Sequence, residues 1–376
     1  MFLALPSLLA SFLPSVLPSF FPFILPARGN APDPSPRSAP SIPRPLTPRL
    51  AGPPKLSSAS LSDPIIAAIS RCGYGRVRRV TDVTPPGTRS THMRYDTDEG
   101  PVFCKRSPLP LEVLSAEATS LRVMGSAALA GGYLRVPAAL GCGSLPFGGS
   151  YLLLEWVEPS RVLGLLPSTQ EELGCGLAAL HSAPQPPPRR GFGFECDTHL
   201  DGLRQDNRWM DTYADFFVAR RLKPQLSALA SRVGSEPSLH RLADPVLSAA
   251  DVLLRELADP PALLHGDLWM GSVGANSAQQ PVLYRGACWY GLPEFDLAAG
   301  SVYGSLGASF YRAYHAQRPQ APGFEERQDL FCLYHILNHL NLEATGSGHR
   351  GAKLTRREYS EKALELMKRI AAAGQR

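Results

Sequence analysis

Residues 263–272 read LLHGDLWMGS, and this stretch decides the fold. Its leucines end an apolar run before His265, Gly266 and Asp267, a pattern that indicates a buried strand delivering a carboxylate into a loop. An Asp in such a loop can act as a general base that accepts the proton of an attacking hydroxyl. The same residue type also caps helices and orders turns. The stretch alone leaves both interpretations open.

Length and composition restrict the class of protein. A chain of 376 residues is long enough to bury a large core and to form two lobes. The net charge is +5, and residues 1–62 contribute most of it, because five basic side chains there face one acid, Asp33. The remainder is close to neutral, so no nucleic-acid partner is expected. The seven cysteines form no C-x-x-C pair, which argues against a disulfide framework or zinc site and favours a reducing compartment.

Residues 1–62 are predicted to be a leader that precedes the folded domain. The first 26 carry no charged side chain, but their closely spaced prolines disfavour a membrane-spanning helix, so no membrane association is expected of the mature protein. Residues 27–62 are rich in Pro, Ser and Arg, which is typical of organelle transit peptides. The combination suits two-step import into a plastid. The alternative is a disordered extension on a cytoplasmic protein.

Residues 63–157 have the element order of a kinase small lobe. The sequence predicts a helix over 63–70, a strand over 77–83, a turn over 84–90, a hairpin of 91–97 and 100–105, a helix over 109–124, and an apolar strand over 151–157. Lys105 lies on the second hairpin strand, and Glu117 lies near the middle of the helix that follows. In a kinase lobe of this order the Lys holds nucleotide phosphates and the Glu orients it. Taken singly, each residue is more often an ordinary surface side chain.

Helices dominate residues 158–376. They are predicted over 171–181, 211–229 with a kink at Pro224, 247–257, from 294, over 323–342 and over 354–373, with a short strand at 281–284. His335 and His339 have the spacing of a metal pair, but no acid accompanies them as in a zinc protease, so packing is the better interpretation. The predicted class is therefore α+β: a bilobal protein-kinase-like fold with a small β-rich N-lobe (63–157) and a larger helical C-lobe (158–376).

Several longer segments resemble one family, the fructosamine/ketosamine-3-kinases, which are relatives of the aminoglycoside phosphotransferases. The resemblance covers about residues 63–348 and rests on VFCK, YLLLEW, GFGFECDT, QDNRWMD, FFVARRLKPQL, LLHGDLW, ACWYG, EFDLA and YHILNHLNL. With its leader, the chain is most similar to the plastid protein-ribulosamine 3-kinases. The resemblance implies ATP-dependent phosphorylation of the 3-hydroxyl of a ribulosamine or fructosamine on a glycated protein lysine. The phosphorylated adduct is unstable, so the lysine is freed.

The resemblance also implies roles for individual residues. The positions that match are Asp267 as catalytic base, Lys105 as phosphate-binding lysine, Glu117 as its helix partner, Glu155 as the hinge whose backbone binds adenine, and Gly87 with Thr88 in the phosphate loop. That loop is glycine-rich in the family. Here it reads PPGT over 85–88, and proline lacks the N–H group that would bind phosphate.

Two further departures concern magnesium, the metal expected beside ATP. Ser272 stands where the family has an Asn that holds magnesium, and Arg285 stands where the family has its main Asp ligand. A serine hydroxyl is a weak substitute, and an arginine cannot bind the metal, although it could pair with phosphate oxygens. Asp296 is close in sequence, but its family counterpart is structural. The metal ligands of the family are therefore not retained.

Three functions stay open at this level. The first is a ketosamine kinase acting on glycated proteins or small ketosamines. The second is a pseudokinase that binds nucleotide or glycated protein without transfer, because losing a metal worth several kcal/mol would slow transfer by orders of magnitude. The third is a small-molecule kinase of the aminoglycoside or choline type. The ketosamine-specific helix over 323–342 counts against the third.

Overall fold

The computed structural model describes residues 63–162, 164–188, 190–231, 237–257, 259–303, 306–344 and 354–375. These residues belong to one compact unit. The predicted leader, residues 1–62, lies outside the described residues.

The N-terminal part is a five-stranded antiparallel sheet with two helices. Its elements are α1 (Pro64–Arg71), β1 (Val77–Asp82), β2 (Thr91–Thr97), β3 (Gly100–Ser107), α2 (Leu111–Gly131), β4 (Ala139–Ser144) and β5 (Ser150–Glu155). The strand order is β1-β2-β3-β5-β4. The predicted hairpin is present, with Thr97 opposite Gly100 and His92 opposite Lys105. The sequence did not predict β4, because its glycines and small side chains have low strand propensity.

The C-terminal part is mainly helical. Its elements are α3 (Pro167–Ser182), β6 (Thr198–Leu200), β7 (Leu203–Gln205), α4 (Tyr213–Phe217), α5 (Lys223–Ala230), α6 (Pro237–Arg255), β8 (Ala262–Leu264), β9 (Val273–Ala275), β10 (Pro281–Leu283), β11 (Trp289–Gly291), α7 (Glu294–Tyr303), α8 (Ala308–Gln317), α9 (Phe324–Ala344) and α10 (Arg356–Ala373). The short strands pair as β6-β7, β8-β11 and β9-β10. A β-sheet lobe followed by a helical lobe confirms the predicted α+β class.

The single kinked helix predicted over 211–229 is instead three consecutive segments. A π-helical turn, Val218–Leu222, joins α4 to α5. Pro224 has no N–H to donate to the carbonyl of Arg220, and the wider turn accommodates this loss. The Arg220 carbonyl accepts a hydrogen bond from Arg221 Nη1 at 3.2 Å instead.

Two hydrophobic cores lie on either side of the N-terminal sheet. Leu153 on β5 packs with Ile65 and Ile69 of α1 in a small core. Leu152 and Leu154 point the opposite way, into the main core that continues through the helical part. This alternation is the period-two pattern of a strand buried on both faces. The apolar strand thus anchors the sheet to the helical lobe. No helix in the described ranges is long and apolar enough to cross a bilayer.

Candidate active site

A cavity of about 1440 Å³ lies between the sheet and the helical part. Ligand pockets usually measure ~300–1,000 Å³, so this one has room for two substrates. The predicted site residues that line it are Gly87, Thr88, Lys105, Glu117, Glu155, Asp267 and Arg285. Ser272 is fully buried instead. The structure therefore brings seven of the eight predicted positions to one cavity.

Lys105 and Glu117 meet at the inner wall of this cavity. Lys105 lies on β3, paired with Leu152 of β5, and Glu117 lies on α2. Lys105 Nζ donates a hydrogen bond to Glu117 Oε2 at 2.6 Å, and the two side chains are only 15% and 11% exposed. An ammonium has three donors, so two remain for an anion such as phosphate.

Glu155 is the last residue of β5 and lines the same cavity. Its side chain forms an ion pair with Arg135 and accepts a hydrogen bond from the Ala138 N–H at 3.0 Å. The Glu155 N–H itself donates to the Ala138 carbonyl at 2.9 Å, so an adenine could use this amide only by displacing that bond. The neighbouring Trp156 and Val157 also line the cavity and supply further backbone groups.

The loop that contains Gly87 and Thr88 is a tight turn. Pro86 and Gly87 occupy its centre, and Gly87 has φ +82°, as a type II turn requires at this position. The Thr88 hydroxyl lies 3.0 Å from the carbonyl oxygens of Pro85 and Ser90, and the Thr88 N–H donates to the Pro85 carbonyl at 3.4 Å. The polar hydrogens of Thr88 are therefore used within the loop, unlike those of a glycine-rich phosphate cradle.

Asp267 follows β8 in a loop that requires glycine at position 266. Gly266 has φ +81°, and a Cβ there would lie 2.1 Å from the Ala287 carbonyl oxygen. His265 Nδ1 accepts a hydrogen bond from the Asp267 N–H at 3.1 Å, and His265 Nε2 donates to the Tyr284 carbonyl at 2.8 Å. This arrangement needs a neutral imidazole, and burial lowers the pKa of His265 accordingly. The loop thus holds Asp267 at the cavity wall.

Asp296 fixes the backbone of the same loop through hydrogen bonds. Its two carboxylate oxygens accept the N–H groups of His265 and Gly266 at 2.7 and 2.9 Å. Burial opposes ionisation, but the hydrogen bond from His181 Nε2 at 3.2 Å and nearby charge hold the pKa of Asp296 below its ordinary value. Tyr314 donates its hydroxyl to His181 Nδ1 at 2.9 Å, which fixes the imidazole. Asp296 is fully buried and is used entirely within the fold.

Ser272 and Arg285 stand at the two positions where the family resemblance implies magnesium ligands. Neither side chain fits a magnesium ion. The Ser272 oxygen accepts the Trp269 N–H at 2.9 Å and lies 2.6 Å from the Asp267 carbonyl oxygen, to which it donates. Its hydroxyl therefore closes the turn after Asp267 and is not available as a ligand. Magnesium takes oxygen ligands, and Arg285 brings a cation to the other position. No cluster of three His, Cys, Asp or Glu side chains suited to a metal occurs within the described ranges.

Arg285 has a partner that the sequence did not indicate. Its Nη2 donates to Asp201 Oδ1 at 2.9 Å, and its guanidinium lies 5.7 Å from the ring centre of Trp269. Asp201 stands at the tip of the hairpin between β6 and β7, where an Asp-Gly pair signals only a turn. His92 also lines the cavity; burial and the charges of Lys105 and Arg285 lower its pKa to about 4.

His335 and His339 lie away from this cavity, in the packing of α9. Both are buried, and their rings contact aromatic side chains. His335 lies 4.7 Å from Phe295, and His339 stacks on Tyr359 at 5.0 Å. Their four-residue spacing therefore reflects one face of a core helix.

A β-rich lobe with a buried Lys–Glu pair, set above a helical lobe with an Asp on a His-Gly-Asp loop, defines a phosphotransferase of the kinase-like class. The sequence model for fructosamine kinase matches residues 75–357. The chain belongs to the fructosamine kinase family, whose members are ATP-using kinases.

Individual relatives agree with this assignment. Protein-ribulosamine 3-kinase, chloroplastic, of Arabidopsis thaliana is 33% identical over 285 residues, which cover 75% of this chain and 83% of that protein. Ketosamine-3-kinase of Mus musculus is 33% identical, covering 71% and 90%. A crystal structure from Thermobifida fusca YX-ER1, named provisionally as a fructosamine-3-kinase, is 26% identical with a TM-score of 0.65, covering 82% and 99%. The aminoglycoside phosphotransferase APH(4)-Ia shares the fold at 14% identity and a TM-score of 0.54, covering 82% and 97%.

Proposed function

We propose that the protein transfers the γ-phosphate of ATP to the 3-hydroxyl of a ketosamine, a ribulosamine or fructosamine, carried on a lysine of a glycated protein. One observation supports this most: the Lys105–Glu117 ion pair and Asp267 line the same cavity, which is large enough for a nucleotide and a sugar together. The names of the plant and mouse relatives support the substrate class.

Each of the three residues has one task in this proposal. Asp267 accepts the proton of the sugar hydroxyl as the oxygen attacks the γ-phosphorus. The bond between the γ-phosphorus and the bridging oxygen breaks, and ADP leaves with the electron pair. Lys105, kept in place by Glu117, offsets the negative charge on the phosphates. The products are ADP and the sugar 3-phosphate, with the proton on Asp267.

A plastid location forms part of the proposal. The composition of residues 1–62 and the chloroplastic name of the Arabidopsis relative support it. Import of a reporter fused to residues 1–62 into isolated plastids tests it. A reporter that stays in the cytosol of plant cells would contradict it.

A pseudokinase is the second candidate, and one observation favours it. Ser272 is buried within its own turn, and Arg285 is paired with Asp201, so neither position offers an oxygen ligand to magnesium. In this alternative the cavity binds nucleotide or glycated protein without transfer.

One experiment separates the two candidates. The full chain is incubated with ATP and ribuloselysine, and phosphate on the sugar is measured by mass spectrometry, with nucleotide binding measured in parallel. We expect transfer by the natural chain. Asp267→Asn should lower turnover by about 10²–10⁴-fold, the usual contribution of a general base, while nucleotide affinity changes by less than about twofold.

The control for this experiment is Asp251→Asn, an exposed change on α6 that breaks only a surface ion pair with Arg255. It should leave turnover unchanged. Nucleotide binding by the natural chain without any sugar phosphate would establish the pseudokinase. Equal turnover by the natural chain and Asp267→Asn would remove Asp267 from the mechanism.

A further inference from the structure

We propose that the guanidinium of Arg285 takes the place of a divalent metal, so that this site binds a nucleotide as its metal-free anion. The proposal rests on the proposed function, since it concerns the nucleotide of the same cavity. It follows from the disagreement between the side chains present and the magnesium expected of a kinase.

Arg285 lies in the same cavity as the proposed base and the phosphate-binding lysine. Arg285, Lys105 and Asp267 line one cavity, and Trp269, two residues after Asp267, lies under the guanidinium at 5.7 Å. The side chain is also tethered, because its Nη2 donates to Asp201 Oδ1 at 2.9 Å. A cation is thus held in the cavity that Lys105 and the proposed base Asp267 also line, close enough to Asp267 for their charges to interact.

Arg285 offsets the negative charge of the carboxylates around it. Three carboxylates, those of Asp267, Asp201 and Glu117, act electrostatically on Arg285. Burial would lower the pKa of Arg285, but these carboxylates raise it above its ordinary value, so the group is permanently a cation. Without this cation the carboxylates would repel a nucleotide phosphate. In ordinary kinase sites a metal supplies this charge.

Neither of the two predicted magnesium positions, Ser272 and Arg285, offers an oxygen ligand to a metal ion. Arg285 cannot donate an electron pair to a cation, and the Ser272 oxygen already accepts the Trp269 N–H while donating to the Asp267 carbonyl. A guanidinium, by contrast, presents a planar set of N–H donors that can bind two phosphate oxygens at once. The site is therefore complementary to bare phosphate oxygens and not to a hydrated metal complex.

The backbone shows that this pair is built into the fold. Arg285 has φ +56° and Asp201 has φ +49°, so both are non-glycine residues in the left-handed region. Their side chains form an ion pair with each other. Arginine rarely adopts this conformation, and such residues persist where surrounding contacts enforce them. The Asp201 tether is one of those contacts.

The test is calorimetric titration of the full chain with adenylyl imidodiphosphate, a non-hydrolysable ATP analogue, once in EDTA and once in excess magnesium. We expect binding in EDTA, and a change of less than about twofold on adding magnesium. Arg285→Ala should weaken binding in EDTA by about tenfold or more, the usual effect of removing a charge-assisted contact. Arg122→Ala, which removes a surface arginine of α2 that does not line the cavity, should leave it unchanged.

Asp201→Asn separates a role in binding from a role in packing. Asparagine tolerates the left-handed conformation, and its amide oxygen can still accept the hydrogen bond from Arg285 Nη2 while the negative charge is removed. Metal-free binding should therefore stay equal or become tighter. A purely structural ion pair would instead make Asp201→Asn and Arg285→Ala weaken binding to the same extent, which would overturn the proposal. Circular dichroism and thermal unfolding check that each variant is folded.

The remaining outcomes are also decisive. Binding that appears only with magnesium, or that magnesium tightens tenfold, overturns the metal-free site but leaves the proposed kinase standing. Absence of nucleotide binding under both conditions overturns this inference and the proposed function together. Binding in EDTA that is lost in Arg285→Ala, kept in Arg122→Ala and not weakened in Asp201→Asn supports the proposal.

Discussion

Gly266 shows how much a single residue decides at this site. The turn that presents Asp267 needs φ +81°, and the Ala287 carbonyl oxygen occupies the space of a side chain. Any side chain at position 266 would therefore strain the backbone and also clash with the backbone of Ala287, which precedes β11. His265, the preceding residue, then bonds the Asp267 amide and the Tyr284 carbonyl. The turn that presents Asp267 therefore needs both Gly266 and His265, whatever reaction Asp267 takes part in.

Gly266→Ala tests this at the residue scale. A left-handed alanine costs about 1–2 kcal/mol, and the displaced backbone adds to it, so we expect a loss of about 3 kcal/mol or more in unfolding free energy. Urea denaturation followed by circular dichroism measures this. Gly148→Ala is the matched control, since Gly148 has φ +94° with no atom within 4 Å of the added Cβ, and should lose only about 1–2 kcal/mol. Equal losses in the two variants would show that the clash is unimportant.

The sequence predicted those site residues whose neighbours along the chain reveal them. Lys105 lies on the second strand of a predicted hairpin, and Asp267 follows an apolar run, so strand patterns suffice to place both. Asp201 could not be found this way, because it meets Arg285 across 84 positions of sequence and stands in an ordinary turn. The side-chain direction of Ser272 was equally inaccessible: a hydroxyl can face a cavity or cap its own turn, and only the fold decides.

At the scale of elements, the π-helical turn between α4 and α5 places a buried cation, Arg221, against the segment that follows the Asp201 hairpin. Arg221 is 1% exposed, and its guanidinium carbon lies over the rings of Phe216 and Trp289, 4.7 and 4.4 Å from their centres. It donates hydrogen bonds to the Asp206 carbonyl at 2.8 Å and to the Asn207 side chain. The segment that carries the Asp201 hairpin is thereby fastened to the helical core.

Arg221→Met tests this fastening. Methionine keeps much of the volume but leaves the buried Asn207 oxygen and Asp206 carbonyl without their donors, so we expect a loss of about 2–4 kcal/mol in unfolding free energy. The measurement is urea denaturation at neutral pH. Arg220→Met serves as control, because its ion pair with Asp206 is more exposed and should contribute less than about 1 kcal/mol. A loss in Arg220→Met as large as in Arg221→Met would argue against the special role of the buried cation.

Strand β4 and the π-helical turn are the two local features that the sequence pattern did not predict, and each has its own physical cause. Strand β4 has too little side-chain bulk to be recognised. It pairs with β5 with a register shift between Ala139 and Gly141, and the Tyr151 ring of β5 fills the space over Gly143. The helix over 211–229 has continuous apolar periodicity, so the widened turn before Pro224 leaves no trace in the pattern. At β4 a long-range pairing forms a strand that the local pattern does not indicate, whereas at Pro224 the missing N–H widens the helix without changing its apolar period.

At the scale of the whole molecule, the helical lobe contains three buried histidines that stay neutral in the folded chain. His181 and His265 belong to the network around Asp296, and burial lowers the pKa of each. His335 packs against Phe295 on α9, and burial lowers its pKa to about 4. All three bind protons more weakly in the folded chain than in the unfolded chain, so the interior of the lobe has a shared sensitivity to acid.

The stability of the protein should therefore fall as the pH decreases. Above the unfolded pKa of about 6.5 the histidines are neutral in both states; below it the unfolded state takes up more protons, and stability is lost until the folded pKa is reached. For His335 this amounts to about 2 kcal/mol at pH 5, and His181 and His265 act in the same direction. Urea denaturation at pH 7, 6 and 5 measures the slope. His335→Gln should reduce it, and an unchanged slope in His335→Gln would falsify the assignment.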